Sequence, residues 1–251
     1  MTATASPDEA SRSYTIQGRT VTFPVVVRHA SAGSATYLVR ADAARKLLPV
    51  PDFEIAEVLP GRALLSIAII DYRDNDLGDY NEVSIALFVR PRGAPRGIPY
   101  LGTAIDLMRS RLGTYIVHLP VDQSFTCEAG SIIWGFPKTV QEIDFETGPD
   151  RATGRLVYEG EHALTLSVPR GGTQSLPEST LVGYTLIEGV PHTNEFQSRA
   201  EGFGVRLGGA RLSLGSGVIA DQLRSLGLPR RALMCTWMEK MSAVFGPSRK
   251  L

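Results

Sequence analysis

Across residues 80–90 the side chains alternate. Val83, Ile85, Leu87 and Val89 fall on one face, and Tyr80, Glu82, Ser84, Ala86 and Phe88 on the other. A period of two predicts an extended strand. A carboxylate among small residues on the second face fits a cavity wall or a solvated outer face, and the period does not choose between them. Residues 63–72 are hydrophobic and predict a second strand, joined to the first by a polar turn at 73–79. Further strands are predicted at 14–22, 36–39, 115–119, 140–146, 154–159, 163–168, 180–187, 195–199 and 210–214. Helices are predicted where a cap precedes and a breaker follows. These are 43–48 (Asp42, then Pro49), 104–112 (Thr103, then Gly113), 218–226 (stopped by Gly227) and 230–245 (opened by Pro229, closed by Gly246-Pro247).

With 25 Gly and 16 Pro in 251 residues the chain is broken often enough for many short strands and turns. There is no internal repeat and no composition step. These patterns predict a single α+β domain, mainly β, over residues 13–251, behind a disordered tail at 1–12. Its core is a curved or barrel-like antiparallel sheet with a few flanking helices.

Charge adds exclusions. Twenty-six basic residues balance 26 acidic ones, and no basic stripe runs along the chain, so neither nucleic acid nor a membrane surface is an expected partner. Cys127 and Cys235 are too few for a disulfide framework, and a cytoplasmic location is expected. His29, His118, His162 and His192 lie far apart and make no local ligand pair, so no metal is expected. Asp74, Asp76, Asp79 and Glu82 lack the glycine of a calcium loop and read as a solvated turn. The run Gly215-Ser216-Gly217-Val218-Ile219-Ala220 fits a dinucleotide fingerprint in form, but no acid-bearing strand follows it, so a strand-to-helix turn is the better reading.

One residue does not suit its surroundings. Lys138 follows Ile132, Ile133, Trp134, Phe136 and Pro137, a block that reads as buried wall. The chain holds only three other lysines, Lys46, Lys240 and Lys250, and otherwise uses arginine. Arginine stays protonated, whereas a desolvated lysine can become an amine nucleophile. The plainer alternative is a lysine whose head snorkels to water from the end of a strand or loop.

The run Trp134-Gly135-Phe136-Pro137-Lys138, after Glu128-Ala129-Gly130, resembles the active-lysine motif of the acetoacetate decarboxylase-like superfamily. Leu77-Gly78-Asp79-Tyr80-Asn81-Glu82 resembles that family's second motif. The resemblance implies a cone-like β-barrel, a homo-oligomer, and a lysine that forms an imine with a small keto acid without a further cofactor. It makes Lys138 and Glu82 the expected catalytic residues, with Arg28, Tyr80, Trp134 and Phe136 binding substrate. Tyr80 is expected to orient Glu82, and Arg28 to hold the substrate carboxylate.

Activation of the lysine by a neighbouring cation is a documented device of this family. About four ordinary lysines in ten thousand are neutral at pH 7, and bringing the group near neutrality takes roughly 4 to 5 kcal/mol. Here Thr139 stands where decarboxylases of the family carry a second lysine. Ser131 and Ile132 replace an Arg-Glu pair, and a further acid is replaced near Ser66-Ile67. Desolvation is therefore expected to do the activating. Two branches follow from the same imine: decarboxylation of a β-keto acid, and aldolase-dehydratase or hydratase chemistry on a pyruvate-like acid. A third possibility is a small-molecule binder that has kept the pocket. A depressed lysine pKa would mark an enzyme, and an ordinary one a binder.

Overall fold

The computed structural model describes residues 13–49, 51–94, 98, 100–108 and 112–251. The expected tail at 1–12 lies outside these, as does part of the loop after residue 90. In chain order the elements begin with β1 (Ser13–Ile16), β2 (Arg19–Thr22), β3 (Val25–Arg40), α1 (Ala41–Arg45), β4 (Phe53–Ile55) and β5 (Glu57–Leu59). Next come β6 (Arg62–Asn75), β7 (Tyr80–Pro91), α2 (Leu101–Met108), β8 (Gly113–Val121), α3 (Ser124–Trp134) and β9 (Lys138–Val140). The chain continues through β10 (Glu142–Thr147), β11 (Arg151–Tyr158), β12 (Glu161–Pro169), β13 (Gln174–Ile187), β14 (Val190–Leu207) and β15 (Arg211–Leu214). It ends with α4 (Gly217–Ser225), β16 (Met234–Phe245) and β17 (Arg249–Lys250).

Seven of these strands close a barrel. The order is β7-β6-β3-β16-β14-β13-β8, and β8 returns to β7. Neighbours are antiparallel except at β8, which runs parallel to β9 and β13. A separate four-stranded sheet, β10-β11-β12-β15, packs on the barrel's outside. Among the described residues there is no helix long and apolar enough to cross a membrane.

Two buried clusters follow from the period-two geometry. Outward residues of β6 and β7 (Leu65, Ile67, Ile69, Val83, Ile85, Leu87) meet Leu156, Leu164 and Leu166 of the outer sheet, with Ile219 and Leu223 of α4 sealing the edge. Inward residues of the same strands face the barrel interior with β1, β2 and α3. Residues 63–72 are apolar on both faces because each face meets a different core. Glu82 and its same-face neighbours point inward, so the cavity-wall alternative holds.

The predicted helix at 230–245 is instead β16. Its register with β3 shifts between Met238 and Met241. The shift turns Cys235 and Trp237 to the outer core and Met241 and Ala243 to the inner one. Pairing with β3 and β14 on both sides overrides the local pattern. Helix starts also differ. Arg40, not Asp42, occupies the N-cap of α1, and α2 begins at Leu101, with Thr103 inside it accepting a hydrogen bond from Arg90. Gly217 opens α4 directly after β15, as a strand-to-helix turn.

Candidate active site

Lys138 enters the barrel on a short, tightly determined connection. Gln123 caps α3 by accepting from the Thr126 N–H. The helix ends at Gly135, whose φ of 68° suits a residue without a Cβ. A Cβ there would lie 2.7 Å from the Leu186 carbonyl oxygen, so space as well as conformation requires glycine. The Trp134 carbonyl accepts from Thr185 Oγ1 at 2.6 Å and from Asn194 Nδ2 at 3.0 Å, which ties the helix end to β13 and β14. Three residues after Gly135, Lys138 begins β9, opposite Leu119 of β8.

The lysine stem lies against α3 at Gly130, where a Cβ would come within 2.6 Å of Cδ and Cε. Thr126, Gly130 and Trp134 follow at intervals of four and share one helical face. Nζ then sits 2.8 Å from Glu82 Oε2 and 3.4 Å from Thr126 Oγ1, with the Tyr80 ring centroid 4.9 Å away. Tyr72 stacks on Tyr80, and its hydroxyl lies 3.5 Å from the second Glu82 oxygen. The Lys138 and Glu82 side chains are only 5% and 7% exposed.

Burial presses the Lys138 ammonium towards the neutral amine. Glu82 and then Tyr80 outweigh it, so the ammonium is held above the ordinary lysine value. This overturns the expectation that desolvation alone lowers the pKa. The expected activating effect is present but is opposed by a carboxylate at hydrogen-bond distance. Burial also raises the Tyr80 phenol, and that of Tyr72 well above the usual tyrosine range.

A cavity of about 280 Å³ opens from this pair into the barrel. Lys138, Glu82, Tyr80, Trp134 and Phe136 all line it. Ser66, at the place of a missing family acid, lines it too. Arg28 does not. Its guanidinium lies on the outside, 2.7 Å from both Asp74 and Asp76, and these acids hold it away from the interior. Among the described lining residues Lys138 is the one cation and Glu82 the one carboxylate.

The sequence matches the acetoacetate decarboxylase family over residues 13–248. The chain belongs to that family. Among solved structures, an acetoacetate decarboxylase from Legionella pneumophila is similar, with a TM-score of 0.63 and 16% identity over 91% of this chain and 87% of that one. The enduracididine biosynthesis enzyme MppR, complexed with the condensation product of pyruvate and imidazole 4-carboxaldehyde, gives 0.56 and 19% over 92% and 90%. An acetoacetate decarboxylase-like enzyme from Sphingomonas wittichii RW1 gives 0.54 and 14% over 93% and 96%. No curated protein matched in sequence.

Tyr72 and Thr126 lie outside both motifs, and Gly130 falls within one without an assigned role. The Tyr72 signal lay in strand register, because β6 sets Ile70 opposite Glu82 and Tyr72 opposite Tyr80. Lys138 Nζ lies over the Tyr80 ring, and the tyrosine hydroxyl at Glu82 is that of Tyr72. The family's Arg-Glu positions fall on α3, where Ser131 Oγ donates to the Phe136 carbonyl and Ile132 is about half exposed.

Proposed function

We propose that this protein is a Schiff-base lyase that decarboxylates a β-keto acid. The observation that carries the reading is the buried Lys138–Glu82 pair at the head of an apolar chamber. When substrate expels water from the chamber, separated charges lose support relative to a neutral pair. The Lys138 proton then passes to Glu82 over a hydrogen bond that already exists.

The neutral amine adds to the ketone carbon, and a proton moves from nitrogen to oxygen to give the carbinolamine. Protonated Glu82 donates to the departing hydroxyl, which releases water and leaves an iminium beside the Glu82 carboxylate. The bond between the α-carbon and the carboxyl breaks, carbon dioxide departs, and its electron pair forms the enamine. One proton from solvent, relayed by Glu82, lands on carbon. Water then hydrolyses the iminium to the ketone and free Lys138.

The lining favours decarboxylation over the pyruvate branch. A substrate whose carboxylate persists needs a cationic partner, and the described lining offers none besides the nucleophile. A carboxylate that leaves as neutral carbon dioxide is instead destabilised by an apolar site before it reacts.

The raised Lys138 pKa favours a second reading, a keto-acid binder in which the ion pair never opens. Borohydride trapping separates the possibilities. The protein is incubated with acetoacetate, longer 3-oxo acids and pyruvate, and the adducts are weighed and mapped. A Lys138 adduct with release of carbon dioxide from 3-oxo acids supports the lyase. An adduct with pyruvate alone moves the protein to the aldolase branch. No adduct with any of them leaves the binder.

A further inference from the structure

The inward faces of β3, β6 and β7 carry unusually small side chains. Register places Ser34, Ala68 and Ser84 in one row behind Glu82, with Ser66 and Ala86 in the next. All five line the chamber, and Phe88 and Thr114 lie beyond them. The outward positions of β6 and β7 alternate with these and are Leu65, Ile67, Ile69, Val83, Ile85 and Leu87. Serine and alanine are weaker strand formers than these branched residues, so strand stability does not account for them inside. Their smallness keeps the barrel interior open.

We propose that the substrate is a 3-oxo acid bearing an unbranched apolar chain, which lies in this space while its ketone meets Lys138. The proposal rests on the lyase reading for its head group and on the small-residue rows for its tail. Strands rise about 3.3 Å per residue, so Glu82 to Ala86 spans roughly 13 Å, the length of an extended chain of about ten carbons. Acetoacetate would fill only the head of the chamber. Met238, Met241 and Phe196 line the chamber from β16 and β14, and adaptable methionines suit a flexible chain. The reaction written above then releases a long-chain methyl ketone and carbon dioxide, with uptake of one proton.

The test is chain-length dependence. Borohydride capture on the wild-type protein is measured with 3-oxo acids of four, six, eight, ten and twelve carbons. The concentration for half-labelling is expected to fall two- to fourfold per added methylene until the channel is full. Ala86→Leu, placed in the second row, is expected to lower twelve-carbon labelling at least tenfold relative to four-carbon labelling. Should that variant fail to fold, the wild-type series decides alone. Calorimetric binding of 2-undecanone to Lys138→Ala reads the tail without imine chemistry. Binding there with no adduct on wild type would sink the lyase and keep the channel. Equal labelling at all lengths, or best labelling at four carbons, overturns the channel whether or not the lyase stands. So would an equal effect of Ala86→Leu on both ends of the series, or, where no acid labels, failure of 2-undecanone to bind.

Discussion

Lys138 Nζ and Glu82 Oε2 stand 2.8 Å apart across 56 residues of sequence, and each makes the other tolerable in an apolar chamber. An unpaired charge there would cost several kcal/mol. The pairing has a chemical consequence too, because the group that keeps Lys138 protonated is the one placed to take its proton. In the proposed reaction, activation is a proton transfer within the site, triggered by what displaces water from it.

Removing the nucleophile while keeping the charge tests this. Lys138→Arg is expected to retain an ion pair with Glu82 and fold, yet lose turnover by at least ~1000-fold, because guanidinium forms no imine under these conditions. Lys138→Ala should lose the same activity and also leave Glu82 buried without its cation. Thermal melting should therefore rank Arg above Ala. Residual turnover in either variant near the wild-type level would remove Lys138 from the chemistry.

Glu82→Gln separates proton transfer from imine formation. The substitution removes the leading influence that raises Lys138, so burial is opposed by Tyr80 alone and the amine is freed at lower pH. Imine capture by borohydride should then persist or extend to more acid conditions. Turnover is expected to fall about 100-fold or more, because nothing relays a proton to carbon, while water alone must protonate the departing hydroxyl, which slows imine formation without preventing its capture at the end of a long incubation. Equal loss of capture and turnover would give Glu82 a purely structural role.

The same pair predicts a pH dependence of stability. A lysine held above its unfolded value contributes stability that is fully present below the unfolded pKa, about 10.4, and is lost as pH rises through the folded value. Tyr37, pushed to about 12 by burial, loses stability in the same alkaline direction, so the wild-type curve alone does not isolate the pair. The double variant Lys138→Met with Glu82→Gln should show a shallower decline above about pH 10.4, with the two curves parallel near neutrality. Chemical denaturation at stepped pH measures the difference. Identical slopes would mean that the pair does not hold the proton as its geometry implies.

What could be read from the chain was set by how local its cause was. The inward face of β7 was legible because Tyr80, Glu82, Ser84, Ala86 and Phe88 announce it by period, and burial alone had to be added. Lys138 was legible because lysine is rare here and its neighbours are apolar. The surroundings of Lys138 were not. Thr126 and Gly130 belong to α3, a helix that no predicted element covers, and Tyr72 reaches Glu82 only through the β6–β7 register. Strand β16 reads as a helix because Pro229 and Gly246-Pro247 bracket it like helix boundaries, while its pairing with β3 and β14 depends on residues far away in sequence. Arg28 was placed by a loose likeness at the chain's start. Two aspartates on β6 and just beyond it, each within 2.7 Å, decide its position.

That placement of Arg28 gives a direct check. Arg28→Ala should leave borohydride capture and turnover within about twofold of wild type, since an exposed ion pair contributes little and no described atom of the chamber comes from this side chain. A large rise in KM with unchanged kcat would instead return Arg28 to substrate binding.

Gly130 offers the sharpest test of how the lysine is positioned. A Cβ at this residue would meet the far part of a side chain, Cδ and Cε of Lys138 at 2.6 Å, rather than backbone. The lysine can swing away, so Gly130→Ala is expected to fold and, in a helix interior, to gain up to about 1 kcal/mol from helix propensity. Swinging away draws Nζ from Glu82 and Thr126, and misplacement by an ångström in a reacting group costs on the order of 100-fold. The expected result is a melting temperature at or above wild type with capture and turnover both reduced at least tenfold. Gly135→Ala should behave in the opposite way. There the new methyl meets the Leu186 carbonyl in a left-handed backbone, and the loss should appear first as stability. If Gly130→Ala reacted as fast as wild type, the slot on α3 would not be what aims the lysine.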